Sequence, residues 1–271
     1  MGDGIFSCRI DNAKIVTEIL SCLCASDRKG YICDVEVNNE AVIFSVEGKG
    51  KSYQARAILP SQLFEEYTAN ETNQEDNDTI LKFSLNLTTL LDCLQLFGAS
   101  SNTSAAMTYL ESEALFKISL EESGVLTTCE MICLSHEESD ITREPLSMFA
   151  VFREYSEQCR VIFKSEILRE PIHELFDVMG GGNVCLSAYG TPKNSFKMSI
   201  SGSLDLFELE FPHSSDIYVL FQCQSDTSYS YSSSSIQLGM KALPIAKETY
   251  IRINSEGMLS IQHQLKETNR G

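Results

Sequence analysis

The sequence predicts an α+β fold of two similar domains, each with helices packed on antiparallel sheets. Three observations carry that expectation. A chain of 271 residues, 43% of them hydrophobic, holds enough apolar material for two cores of ordinary domain size. The order strand, helix, three strands occurs once in each half, which marks an internal structural repeat. Hairpin-length turns at Asn38-Asn39, Gly48 to Gly50 and Asn254 to Gly257 separate the strand-like runs, as antiparallel neighbours require.

In the first half, "GIFSCRI" (residues 4–10) reads as a strand. Asp11 or Asn12 then caps the helix "AKIVTEILSCLCA", whose Ile15, Val16, Ile19, Leu20 and Leu23 share one face. Strands are expected over 31–37, 41–46 and 52–58. Between the last two lies "FSVEGKGKSYQARA", whose Gly50-Lys51-Ser52 ends as a phosphate-binding loop does. That loop requires a glycine five residues earlier, where Ser45 stands, and a helix afterwards. "SYQARAIL" instead alternates with a period of two, so the stretch is a glycine-permitted turn between strands. "EEYTANETNQEDND" (65–78) has six acids and no base and reads as a solvated loop. A strand, a cap at Asn86 and a helix ending at Gly98 follow, with Leu87, Leu90, Leu91, Leu94 and Phe97 as its stripe. "AAMTYL", "ALFKISLEES" and "VLTTCEMIC" close a first domain of residues 1–134.

Residues 135–158 read as an interdomain connector, polar at first, then apolar from Leu146 to Phe152, without a long regular period. The second domain, 159–271, opens with the strand "CRVIFKS". The helical pattern "EILREPIHELFDVMGGG" follows, with Ile167, Leu168, Ile172, Leu175, Phe176 and Met179 on one face. Pro171 inside it predicts a kink or a start near Arg169, and the triple glycine predicts the stop. Next come "NVCLSAYG", "SFKMSIS", "LDLFELEFP" and "IYVLFQCQ" as strands, and "SYSYSSS" as an exposed edge strand running into a loop. A weak helical stretch around 238–246 and the closing hairpin complete the pattern.

The residues point away from catalysis. With 21 basic against 38 acidic residues and a net charge of −17, a broad basic nucleic-acid surface is excluded, so any DNA contact must be local. Cysteines such as Cys22, Cys24, Cys33, Cys93, Cys129 and Cys185 occupy core-like positions and read as reduced, buried thiols of an intracellular protein. No signal-peptide pattern and no run of 18 apolar residues is present, so no membrane partner is expected. His136, His173, His213 and His263 lack neighbours at ligand spacing, and no C-x-x-C occurs, so neither a metal nor another cofactor is expected. Asp205, Glu208 and Glu210 are the best candidates for a nuclease-type metal site. Parity sends Asp205 and Glu208 to opposite faces, and the alternation of "LDLFELEF" is explained by a solvated strand face.

Two repeats joined by one irregular connector in an acidic chain resemble the DNA sliding clamps of the proliferating-cell-nuclear-antigen type. "FSLNLTTLLDCLQLFGAS" (83–100), "ISLEESGVLTTCEM" (118–131), "SEILREPIHELFDV" (165–178) and "INSEGMLSIQHQL" (253–265) further resemble the Rad-one subunits of the heterotrimeric nine-one-one checkpoint clamp. The likeness spans nearly the whole chain. It implies the DNA-clamp fold, in which helices line the hole of a ring, sheets form its outside and domains meet through edge strands. It also implies a non-enzymatic subunit, completed by two other clamp subunits, placed on double-stranded DNA in the nucleus by a clamp loader, and recruiting repair and checkpoint proteins.

Sliding needs phosphate attraction without base readout, which makes Lys14, Arg28, Lys29, Arg169 and Lys241 the DNA-facing candidates. By the same resemblance Val46 and Tyr53 border a client groove that Leu146, Met148 and Phe149 cover. Family members carry another strand after the last hairpin, and here "KETNRG" follows it, so the second domain is expected to lack that strand. Two alternatives stay open. One is a 3′ to 5′ exonuclease, an activity attributed to some relatives, and the other is a homotrimeric replication clamp.

Overall fold

The structure, a computed structural model, describes residues 5–24, 31–69, 80–98, 100–134, 147–178, 182–201, 206–212 and 216–266. It divides into two compact units, Met1–Glu144 and Pro145–Gly271. The expected α+β architecture, helices on antiparallel sheets, is present in both.

In the first unit β1 (Phe6–Ile10) passes through Asn12, whose side chain accepts from the Lys14 amide, into α1 (Ala13–Ser21). This is the side-chain capping that asparagine provides to an orphan helix N–H. Then come β2 (Ile32–Val37), β3 (Ala41–Glu47), β4 (Gln54–Pro60), β5 (Glu66–Ala69) and β6 (Leu81–Asn86). α2 (Leu87–Leu94), β7 (Ser104–Leu110), β8 (Leu115–Glu122) and β9 (Val125–Ile132) complete it. One sheet has the order β5-β1-β7-β8-β9 and the other β4-β3-β2-β6. Alternate residues of each strand face inward, as period two dictates. Phe83 thereby stacks on Tyr109 with ring centroids 4.5 Å apart and tilts against Phe116 at 5.6 Å. Val16 and Leu20 of α1 and Leu87, Leu90 and Leu94 of α2 are buried in the same core.

The glycine stretch is a 3₁₀ turn, Lys49–Lys51, between β3 and β4, with Gly50 at φ 64° in the left-handed region. No helix follows it, so a phosphate cradle is not formed. The acidic stretch departs from expectation, because Glu66–Ala69 is β5, paired antiparallel with β1 in the register Phe6↔Ala69. Tyr67 explains this. Its ring packs 5.7 Å from both Phe6 and Phe64, and its hydroxyl donates to the Asn38 carbonyl at 2.6 Å, while the glutamates stay on the exposed edge.

The second unit opens on α3 (Met148–Glu154), a helix where an irregular connector was expected. Seven residues are too few to show a period, and the helix is held from outside. Asn254 Nδ2 donates to the Phe152 carbonyl at 3.4 Å, and the Arg252 guanidinium lies 5.5 Å from the Phe152 ring. β10 (Glu157–Lys164) and α4 (Ser165–Val178) follow. α4 starts at Ser165 and runs through Pro171, so the expected start near Arg169 is corrected. Its buried Leu168, Ile172 and Leu175 hold the helix on the core across the missing proline N–H. The triple-glycine stop falls partly outside the described residues.

β11 (Asn183–Tyr189), β12 (Ser195–Ser201), β13 (Leu206–Phe211), β14 (Tyr218–Cys223) and β15 (Thr227–Ser232) come next. α5 (Ser233–Gly239), β16 (Ala246–Asn254) and β17 (Leu259–Leu265) end the unit, with Gly257 at φ 74° in the final turn. α5 lies in the serine run, earlier than the 238–246 stretch expected to be helical. Serine hides it, being a weak helix former, while Ile236, Met240 and Leu243 are the buried residues that anchor it and the turns after it. Among the described residues β15 is an edge strand, as expected, but it enters this helix rather than a loop. The sheets are β14-β10-β16-β17 and β13-β12-β11-β15. They repeat the first unit's topology with one difference. Among the described residues β17 is an edge strand, whereas its counterpart β8 carries β9.

Candidate functional surfaces

The DNA-facing candidates fall into three situations. Lys14 lies on α1, with its Nζ 3.7 Å from Glu18 Oε1 one turn on, and Lys241 is exposed just after α5. Arg28 and Lys29 lie outside the described residues. Arg169 is committed inside its own unit: Nε donates to the Leu243 carbonyl at 3.0 Å and an Nη to the Ala246 carbonyl at 3.1 Å. The Leu243 carbonyl also accepts the Ala246 amide, so the forked guanidinium ties α4 to the turn that leads into β16.

In each unit the exposed helix faces also carry acids. α4 exposes Glu166, Glu170, Glu174 and Asp177, with His173 Nδ1 3.2 Å from Asp177 Oδ2, while α1 adds Glu18 and α2 adds Asp92. The four-residue spacing of Glu166, Glu170 and Glu174 along α4 is legible in the sequence and marks one exposed face.

The groove candidates also separate. Val46, expected at a groove border, is 1% exposed, an inward residue of β3 within the first unit's core. Tyr53 is half-buried, and its hydroxyl is hydrogen-bonded to that of Tyr31. Met148 and Phe149 are half-buried on α3 in the second unit, and Leu146 lies outside the described residues.

The outward faces of certain edge strands went unnoticed in the sequence. Ile132 of β9 is 82% exposed, and Val125 and Leu126 at the start of that strand and Leu134 just after it are exposed too. Leu206 and Phe207 of β13, at an edge of the second unit, are likewise exposed. The signal was present, since "VLTTCEMI" puts apolar residues on both parities, which a sheet with one solvated face does not need.

Two of the acids considered for a metal are held by lysines on the outer face of the β12–β13 pair. Lys197 Nζ pairs with Glu208, and Lys193 Nζ lies 3.0 Å from Glu210 Oε1. The Lys193 hydrogen bond holds the Glu210 carboxyl below the usual carboxylate range. Asp205 lies outside the described residues. Among those described, no group of three or more His, Cys, Asp or Glu side chains is placed to hold a metal ion.

Comparison with known proteins fits this arrangement. The sequence model of the family described as "Repair protein Rad1/Rec1/Rad17" matches residues 5–265. The chain is similar to the mouse protein named "Cell cycle checkpoint protein RAD1", 28% identical over 261 residues, covering 95% of this chain and 85% of that one. It is similar to the "DNA damage checkpoint control protein rad1" of Schizosaccharomyces pombe, 27% identical over 254 residues, covering 86% and 74%. Among solved structures, a chain of the PCNA2-PCNA3 complex from Sulfolobus tokodaii superposes with a TM-score of 0.72 at 13% identity, covering 96% of this chain and 94% of that one. That likeness shows the clamp fold.

Proposed function

The chain belongs to the Rad1/Rec1/Rad17 family of repair proteins, and from that premise we propose that it is a non-enzymatic subunit of a heterotrimeric DNA clamp in the DNA-damage checkpoint. The observation that carries the reading is the pair of apolar sheet edges. Among the described residues β9 and β13 each end a sheet with open backbone donors and acceptors, and each presents large exposed apolar side chains. Such edges are aggregation hazards in a lone chain and pairing surfaces in an assembly. Two other clamp subunits would cover them, closing a ring that a clamp loader places on double-stranded DNA in the nucleus. The ring would then recruit repair and checkpoint proteins. A structural relative found in a complex of two different clamp chains supports assembly with non-identical partners.

In this reading Lys14 and Lys241 supply local phosphate attraction, and Arg28 and Lys29 join them. Arg169 contributes structure. Tyr53 on the first unit and Met148 and Phe149 on α3 are client-contact candidates. The exonuclease alternative is disfavoured because Glu208 and Glu210 are neutralised by lysines rather than gathered around a cation site. The test is topological. Loaded with its partners, the protein should be retained on nicked circular DNA and lost when the circle is linearised. Release of labelled 3′ nucleotides that disappears on substituting Glu208 and Glu210 would overturn the reading.

A further inference from the structure

Two cysteines of the second unit face each other across a strand pair. Cys159 on β10 is the register partner of Cys223 on β14. The Gln224 amide donates to the Gln158 carbonyl at 2.9 Å, which makes that neighbouring pair hydrogen-bonded and leaves Cys159 and Cys223 as a non-hydrogen-bonded pair. Such pairs bring Cα atoms to about 4.5 Å with side chains close, within the range that a disulfide spans. Their thiols are close enough for each to shift the other's ionisation. Cys159 is buried, and Cys223 is half-buried with its sulfur 3.0 Å from the Ser225 carbonyl.

We infer that Cys159 and Cys223 are a redox-active dithiol that a small-molecule disulfide of the oxidised-glutathione class converts to an intramolecular disulfide. The more accessible Cys223 acts first. Its thiolate attacks one sulfur of the oxidant, breaking that S–S bond, forming a mixed disulfide and releasing one thiolate, which takes up the proton that Cys223 lost. Cys159 then gives up its proton and attacks the Cys223 sulfur, expelling the second small thiolate, which is protonated in turn. Two protein thiols are oxidised and one disulfide is reduced to two thiols.

The order of attack has a physical basis. Burial, reinforced by the neighbouring Cys223, pushes the Cys159 thiol up to about 12. Burial also raises Cys223, but the neighbouring Cys159 thiol favours its thiolate. The bond would pin β14 to β10, its one ladder neighbour among the described residues. Cys93 and Cys129 are also neighbours, but they join a helix to a strand, and no ladder register fixes their separation.

The test equilibrates reduced protein with a series of oxidised-to-reduced glutathione ratios, blocks remaining thiols with N-ethylmaleimide and maps them by mass spectrometry. The wild type should yield a Cys159–Cys223 linked peptide without retained glutathione, and its melting midpoint should rise by several °C over the reduced form. Cys159→Ser should accumulate glutathione on Cys223. Cys223→Ser, at the half-buried position, should leave Cys159 unmodified and abolish the shift in midpoint. Both thiols alkylated at ratios that already glutathionylate other cysteines, a mixed disulfide persisting on Cys223 in the wild type, or a Cys93–Cys129 link in place of this one would overturn the inference.

Discussion

Arg169 donates to the Leu243 carbonyl oxygen from Nε at 3.0 Å, tying α4 to the turns that follow α5. A charged donor on a backbone acceptor contributes about 2 kcal/mol, and removing the side chain also takes away the second bond, to the Ala246 carbonyl. Arg169→Ala is therefore expected to lower stability by about 2–3 kcal/mol in urea unfolding, and Arg169→Lys to recover only part of that, because an ammonium lacks the fork. The salt dependence of DNA binding should not change in either variant.

Lys14 and Lys241 carry the opposite expectation. If each neutralises one phosphate in the assembled clamp, each alanine substitution should reduce the slope of log affinity against log salt by about 0.9, with little loss of stability. Replacing Glu166, Glu170 and Glu174 on α4 by glutamine should strengthen non-specific DNA binding, since their exposed charges oppose phosphate. Filter binding across salt concentrations reads both effects.

His263 gives the second unit a pH dependence of defined sign. Its Nε2–H donates to the Gly239 carbonyl at 2.6 Å, and Nδ1 accepts from the Thr249 hydroxyl at 3.0 Å, which in turn is 2.8 Å from Ser165 Oγ. Burial depresses its pKa, opposed by the Gly239 hydrogen bond. The unfolded chain therefore binds the proton first. The contribution is fully present above about pH 6.5, the ordinary histidine value, and is lost as pH falls through the lower folded value. Urea unfolding from pH 7.5 to 5 should show a steeper decline for the wild type than for His263→Gln.

Ile132 tests the edge. It is 82% exposed, so Ile132→Lys should leave the isolated chain within about 0.5 kcal/mol of wild-type stability. Assembly with partner subunits should fail, because a lysine on an edge strand opposes strand addition. Chemical unfolding and co-elution on gel filtration separate these two effects.

Much of the fold was legible where local pattern and tertiary environment agree. The α1 and α2 stripes, the Asn86 cap, the glycine turn and the final hairpin all rest on periodicity or backbone conformation that nearby residues specify. The cap is seen directly, with Asn86 Oδ1 accepting from the Thr89 amide. The elements that were missed depend on distant partners. β5 exists because Tyr67 finds Phe6 and Phe64, α3 is held at Phe152 by Arg252 and Asn254, and α5 forms from serines because Ile236 is buried.

At the candidate surfaces the sequence revealed which residues are charged but not where their charge is spent. Arg169 and Lys14 look alike in a helical pattern, and only the fold brings the Leu243 and Ala246 carbonyls to the first. Val46 shows the converse, an apolar residue beside a turn whose parity sends it into the core.

Native mass spectrometry of the chain, alone and mixed in equal amounts with its two candidate partner subunits, tests the clamp assignment most directly. One copy of each subunit in a single complex is the predicted result. A stable homotrimer of this chain, or a chain that remains indifferent to both partners, would contradict it.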